Sequence, residues 1–182
     1  KVEIAGLQLT DSRNAGMIVY LGNAEDYDVH NNYVSDINQD NNNHNGIFML
    51  NGNGKMYNNL IKNHQGNAAR IWTYSTKPGV TAVVEIYNNI VYNSRKYSGF
   101  ETQDPPHIQD SPYFVPANIL FHHNTVGKQN TEQFQGYPGR LIDVYNTHGT
   151  LDISNNLTFN NNDSTILNTV TWGPTSQSNN IY

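Results

Sequence analysis

Short apolar runs alternate with asparagine-rich turns along the whole chain. The clearest run is Val84-Glu85-Ile86-Tyr87-Asn88-Asn89-Ile90-Val91-Tyr92-Asn93, in which β-branched and aromatic residues flank a pair of asparagines. Earlier copies read Asp28-Val29-His30-Asn31-Asn32-Tyr33-Val34 and Lys55-Met56-Tyr57-Asn58-Asn59-Leu60-Ile61. Later copies read Leu120-Phe121-His122-His123-Asn124-Thr125-Val126 and Asp152-Ile153-Ser154-Asn155-Asn156-Leu157-Thr158, and the chain ends in Asn179-Asn180-Ile181-Tyr182. A first copy, Val2 to Leu9, carries Gly6 where the Asn pair sits and reads as one residue short. Val, Ile, Tyr and Thr favour a pleated, half-buried strand. Asn and Gly tolerate the left-handed backbone that sharp corners require. The pattern therefore predicts strand, tight corner, strand, repeated.

With the second Asn as marker, the series Gly6, Asn32, Asn59, Asn89, Asn124, Asn156, Asn180 has intervals of 26, 27, 30, 35, 32 and 24 residues. A variable period in this range, built on short apolar strands, predicts a solenoid. These Asn-Asn/aliphatic repeats cover essentially the whole chain, and they resemble the right-handed parallel β-helix of the pectate-lyase type. The resemblance implies an all-β fold of about six to seven coils, each with about three short strands, stacked at ~4.8 Å. It also implies a ladder in which an Asn at one corner of each coil bonds its neighbour, because a buried amide needs partners. A secreted bacterial protein acting on polysaccharide is what the resemblance implies for function.

Composition narrows the picture. Of 182 residues 30 are Asn and only 14% are charged, a polarity that suggests disorder until the 12 Tyr and 6 Phe in periodic strands are counted against it. A net charge of −5 disfavours nucleic acid or an anionic membrane as partner. No Cys is present, which excludes disulfides, thiolate nucleophiles and zinc–thiolate sites. No apolar run approaches the ~18 residues of a membrane span. The chain opens mid-strand and stops inside a repeat, and solenoids need caps. The expectation is one β-helix domain over residues 1–182, a piece lacking one or both caps, monomeric within a longer chain.

A second strand follows each marker, at Met17 to Leu21, Ile47 to Leu50, Arg70 to Tyr74, Phe100 to Gln103, Arg140 to Tyr145 and Thr165 to Trp172. Side chains alternate across a strand. With Ile47 and Met49, Ile71 and Thr73, Phe100 and Thr102, and Ile142 and Val144 inward, the outward set is Phe48, Leu50, Arg70, Trp72, Tyr74, Glu101, Gln103, Asp143 and Tyr145. That predicts an exposed column of aromatics, an arginine and two carboxylates, walled by the long stretches Asp104 to Ala117 and Lys128 to Gly139. In the superfamily that the repeats resemble, a groove on such a flank binds polysaccharide.

Glu101 and Asp143 fall on adjacent coils, so their carboxyls are expected ~5 Å apart, near the spacing of retaining glycosidases. One would be held protonated by the other's charge; the same pair could instead ligate Ca²⁺, or be two solvated surface acids. Trp72 and Tyr74 offer rings to sugar faces, with Gln103 and Tyr145 beside them, and Arg70 matches a uronate carboxylate. In a lyase a basic side chain takes the proton beside the uronate, and His64 is the acid/base candidate because it shares a coil with Arg70. His44, His107, His122, His123 and His148 show no zinc-type spacing and read as surface or ladder residues. The Asn-Thr-Asp, Asp-Asp and Gly-His-Gly motifs of polygalacturonase-type hydrolases are missing, as are the pectin methylesterase and alginate epimerase signatures, so no catalytic residue is carried over from the resemblance. Two readings follow: a polysaccharide-degrading domain, by hydrolysis at Glu101 and Asp143 or by β-elimination using Arg70, His64 or a Tyr; or a non-catalytic solenoid that binds carbohydrate or serves as an adhesin segment.

Overall fold

The computed structural model describes residues 1–13, 19–21, 26–40, 46–72, 79–103, 116–145, 149–163 and 175–182. Their strands form three parallel sheets. The first holds β1 (Val2–Ala5), β4 (Asp26–His30), β7 (Asn53–Tyr57), β10 (Ala82–Tyr87), β13 (Ala117–His122), β16 (Leu151–Ser154) and β18 (Thr175–Ser178). The second holds β2 (Gln8–Ser12), β5 (Tyr33–Ile37), β8 (Leu60–His64), β11 (Ile90–Ser94), β14 (Thr125–Gly127) and β17 (Leu157–Phe159). The third holds β3 (Val19–Tyr20), β6 (Gly46–Asn51), β9 (Asn67–Trp72), β12 (Phe100–Gln103) and β15 (Ile142–Val144). From β1 to β15 the described strands enter the first, second and third sheet in turn, so the chain is an all-β parallel β-helix. Among the described strands none pairs locally; each pairs with the coil before or after it.

The core is built from columns in register. Val29, Met56, Ile86, Phe121 and Ile153 stack inside the first sheet. Val34, Ile61, Val91 and Val126 do so inside the second. In the third sheet Phe48, Ala69, Phe100 and Ile142 form one inward column, and Leu50, Ile71, Thr102 and Val144 the next. All of these side chains are buried. Of the expected inward pair, Ile47 is buried in the core cluster, but Met49 is corrected: it pairs with Arg70 on the outer side, and Phe48 and Leu50 stand in the inward columns. Alternation alone sets only the relative phase, and in β6 apolar residues occupy both faces, so the sequence pattern carried no phase there.

The Asn pairs sit at the corner between the first and second sheets, and the two members do different work. The first takes the left-handed backbone: Asn31, Asn58, Asn88, His123, Asn155 and Asn179 all have φ between 53 and 55°. The second points inward and forms the ladder. Asn59 Nδ2 donates to Asn89 Oδ1 at 2.8 Å, Asn89 Nδ2 to Asn124 Oδ1 at 3.0 Å, and Asn124 Nδ2 to Asn156 Oδ1 at 3.2 Å. Each Oδ1 also accepts the backbone N–H of the preceding ladder Asn, so donors and acceptors are both used. The first coil is not short. Gly6, with φ 68°, aligns with the corner residue Asn31, and Leu7 takes the ladder position, its N–H donating to Asn32 Oδ1 at 3.0 Å.

One close approach requires glycine. The ring of Tyr27 lies over Gly54 on the neighbouring coil, and a Cβ there would meet ring carbons at 2.5 Å.

Candidate functional site

The outer face of the third sheet gathers most of the described candidate residues. Glu101 is paired in register with Arg70 on one side and Asp143 on the other. The column therefore runs Tyr20, Met49, Arg70, Glu101, Asp143 across five coils. Gln103 pairs with Trp72 one pleat further along, and the Tyr145 N–H bonds Thr102 O at 2.8 Å, which places Tyr145 beside them. Tyr74 lies outside the described residues, as do Thr73, His44, His107 and His148.

The expectation of an exposed column is corrected: Glu101 is 1% exposed and Asp143 3%. At Asp143 the stretch between β14 and β15 folds back beside the sheet. Lys96, itself buried, sits over the rings of Tyr97, Phe134 and Tyr137 at 5.2, 4.6 and 4.1 Å. Tyr97 and Tyr137 meet edge to face at 4.7 Å. A desolvated cation against three aromatic faces is a firm anchor, and it pins the excursion across the flank. Strand periodicity carries no information about such a tertiary contact. The signal was a set of aromatics, Phe134 and Tyr137, inside an otherwise polar stretch.

Two buried carboxylates on neighbouring strands repel unless each has a cation. Arg70 Nε reaches Glu101 Oε1 at 2.6 Å. Arg140 Nη1 lies 3.8 Å from Asp143 Oδ1 and also grips Asp163 Oδ2, at 2.8 Å through Nε and 2.7 Å through Nη2. The Tyr145 hydroxyl donates to Asp143 Oδ2 at 3.1 Å. Burial and the charge of Asp143 push the Tyr145 phenol well above its usual range, so it stays a donor. Arg140 and Tyr137 were not singled out from the sequence.

The site is not sealed. A cleft of ≈ 330 Å³ opens between the excursion and the sheet, lined by Gly136, Tyr137, Pro138, Arg140, Asp143 and Tyr145. Asp143 is the member of the carboxylate pair that borders this cleft. Further along the face Trp72 and the exposed Tyr20 meet edge to face at 5.8 Å.

His64 does not join this constellation. It ends β8 in the second sheet, 1% exposed, with Nδ1 3.0 Å from Gly66 O. Burial lowers its pKa to about 4, so the ring is neutral at neutral pH. Sharing a coil with Arg70 did not bring the two together, because a corner of the helix separates β8 from β9. Among the described residues no group of three or more His, Cys, Asp or Glu forms a cation cage. Glu101 and Asp143, the pair considered as calcium ligands, each face an arginine.

His122 lies on the outer face of the first sheet, where His30, Tyr57, Tyr87 and His122 stack ring on ring at 4.7, 4.9 and 5.3 Å. These rings cover one another's faces and so offer edges to solvent. Lys55 Nζ to Glu85 Oε2 at 2.7 Å and His122 Nε2 to Glu85 Oε1 at 3.2 Å tie the neighbouring column together. This face is a self-paired surface. It too borders a cleft, of ≈ 380 Å³, with Asp28, Lys55 and Glu85 in its lining, but there the charged groups are partly or fully exposed and paired with one another, whereas on the third sheet the carboxylate at the cleft is buried. Comparison of the chain with family models, curated proteins and solved structures finds no match.

Proposed function

We propose that the protein binds polysaccharide along the outer face of the third sheet. The observation that carries this reading is the cleft at Asp143, which sets a carboxylate, a guanidinium and two tyrosines around one opening. Vicinal sugar hydroxyls pair well with carboxylate and guanidinium groups, which give charge-assisted hydrogen bonds. The Tyr rings supply apolar surface with a polar tip. The resemblance of the repeats to the parallel β-helix of the pectate-lyase type points to the same ligand class.

A hydrolytic role for Glu101 and Asp143 has one supporting observation, their pairing on adjacent strands. Against it stands the position of Glu101, which is buried against Arg70 and does not line the opening. Binding is the reading that the geometry favours. Affinity electrophoresis against a panel of neutral and uronate polysaccharides tests it, with Tyr145→Ala and Tyr137→Ala expected to weaken retention about tenfold each. Retention on no polymer, or retention indifferent to both changes, overturns it. Release of reducing ends by the unaltered chain, lost in Asp143→Asn, would establish the hydrolytic reading instead; an ultraviolet-absorbing unsaturated product would establish elimination.

A further inference from the structure

We propose that His122 and His123 form a two-nitrogen surface site for a divalent copper or nickel ion, at the corner between the first and second sheets. The starting point is a break in the corner row. Asn31, Asn58, Asn88, Asn155 and Asn179 fill that row in other coils, with φ 53 to 55°, and His123 stands among them with φ 55°. Its side chain is exposed, and its Nδ1 lies 2.9 Å from Nδ1 of His122.

The coil at His30 shows how the frame works without a second imidazole. His30 Nε2 faces Glu3 Oε1 at 3.0 Å, and His30 Nδ1 accepts from Asn31 Nδ2 at 2.9 Å. An amide nitrogen only donates, so Nδ1 is a lone pair and the ring proton sits on Nε2. At His122 a carboxylate again faces Nε2, with Glu85 Oε1 at 3.2 Å. Lys55 holds the other Glu85 oxygen at 2.7 Å, and that hydrogen bond keeps the carboxyl below its ordinary range, so it remains an acceptor. His122 Nδ1 is then a lone pair aimed at the corner, as in His30.

The corner residue is what differs. Asn31 satisfies the ring of His30 by donating, and an Asn at 123 would do the same for His122, so the frame has no structural need of an imidazole there. His123 Nδ1 can donate too, but it can also move its proton to Nε2 and offer a second lone pair to the same point. Two imidazole lone pairs that converge on one point are a metal-ligand pair.

The spacing selects the ion. A metal ~2.0–2.1 Å from each of two nitrogens 2.9 Å apart sees them at ~90°. Tetrahedral ligands would stand ~3.3 Å apart, so the pair matches neighbouring positions of a tetragonal ion, the geometry of copper(II) and nickel(II) with nitrogen ligands. The two rings stand at 89° to one another, so their edges stay clear. His122 is also held ready: its ring stacks on Tyr87 at 5.3 Å, and its other N–H donates to Glu85. A carboxylate in that position orients a ligating imidazole and raises its basicity. Because His123 is exposed, water fills the ion's other positions. Two protein ligands are fewer than a structural zinc site uses, which makes this a site for an exchangeable ion.

Titration of the full, tag-free chain with Cu²⁺, Ni²⁺ and Zn²⁺ by calorimetry, with electron paramagnetic resonance for Cu²⁺, tests the proposal. Expected is one equivalent of Cu²⁺ held at micromolar concentration, with a tetragonal spectrum split by two nitrogens, and weaker binding of Ni²⁺ and Zn²⁺. His123→Asn, which restores the residue of the neighbouring corners, should weaken Cu²⁺ binding at least about tenfold with the melting temperature unchanged, and Glu85→Ala about tenfold. Asn31→His should add a second equivalent, at His30. No Cu²⁺ bound at micromolar concentration overturns the proposal and leaves the Nδ1–Nδ1 contact a hydrogen bond only. Binding that both His122→Tyr and His123→Asn leave unchanged also overturns it, by placing the ion on other histidines. Zn²⁺ held more tightly than Cu²⁺ overturns the tetragonal assignment and with it the site. None of these outcomes bears on the Asp143 cleft.

Discussion

Two polar columns run along this β-helix, and they solve the burial of polar groups in different ways. The Asn ladder repeats one residue, and each amide satisfies the next. The column Arg70, Glu101, Asp143 on the third sheet repeats nothing, and each group depends on its own partner: Arg70 for Glu101, Arg140 and Tyr145 for Asp143. The first is a scaffold because its requirement is the same in every coil. The second breaks the period, and it does so beside a cleft. A change of residue type along a register column thus separates a site from the frame that carries it.

The comparison can be broken first at the ladder. Asn89→Ala removes an amide whose two N–H groups serve three acceptors and strands the Asn59 N–H and Nδ2 that it accepts from. At ~1–3 kcal/mol for each buried group left unpaired, a loss of about 5 kcal/mol is expected by urea unfolding. A loss below about 1 kcal/mol would show that water replaces the amide and that the ladder is not structural.

The charged column should be somewhat more forgiving and reparable. Glu101→Gln leaves Arg70 without its buried counter-ion, and about 3–4 kcal/mol is expected to be lost. Changing Arg70→Met and Glu101→Met together should recover most of that. Failure of the pair to recover would mean that the two residues serve different partners.

His64 offers a pH test that the ladder cannot show. Its folded pKa, about 4, lies below the unfolded value near 6.5 because burial disfavours the charged ring. Below pH 6.5 the unfolded chain takes up a proton that the folded chain refuses, so stability falls between about pH 6.5 and 4, by about 3 kcal/mol in all. His64→Gln should flatten that limb in chemical-denaturation curves at stepped pH; an unchanged slope would assign the dependence elsewhere.

The smallest effect is expected at Tyr27, whose buried hydroxyl has no partner among the described residues. Tyr27→Phe should raise stability by about 1 kcal/mol in the same assay, since a polar group without a partner is removed and the ring over Gly54 is kept. A loss of stability would reveal a bond to that hydroxyl.

Much of the architecture could be read from residues alone. The Asn pairs and their β-branched flanks determined the coil count, the corner and the ladder, because each coil must satisfy the same backbone turn and the same buried amide. The relative register of Arg70, Glu101 and Asp143 also followed from the repeat. Only the tertiary structure decided which face of β6 is core, since apolar residues occupy both of its sides. It alone decided that Glu101 and Asp143 are buried, and that an excursion pinned by Lys96 against Tyr97, Phe134 and Tyr137 lies beside Asp143. It also moved His64 away from Arg70, into the corner between two sheets. Periodicity reports what every coil shares; a cover or a cleft is made once, by residues far apart in sequence, and leaves no period to read.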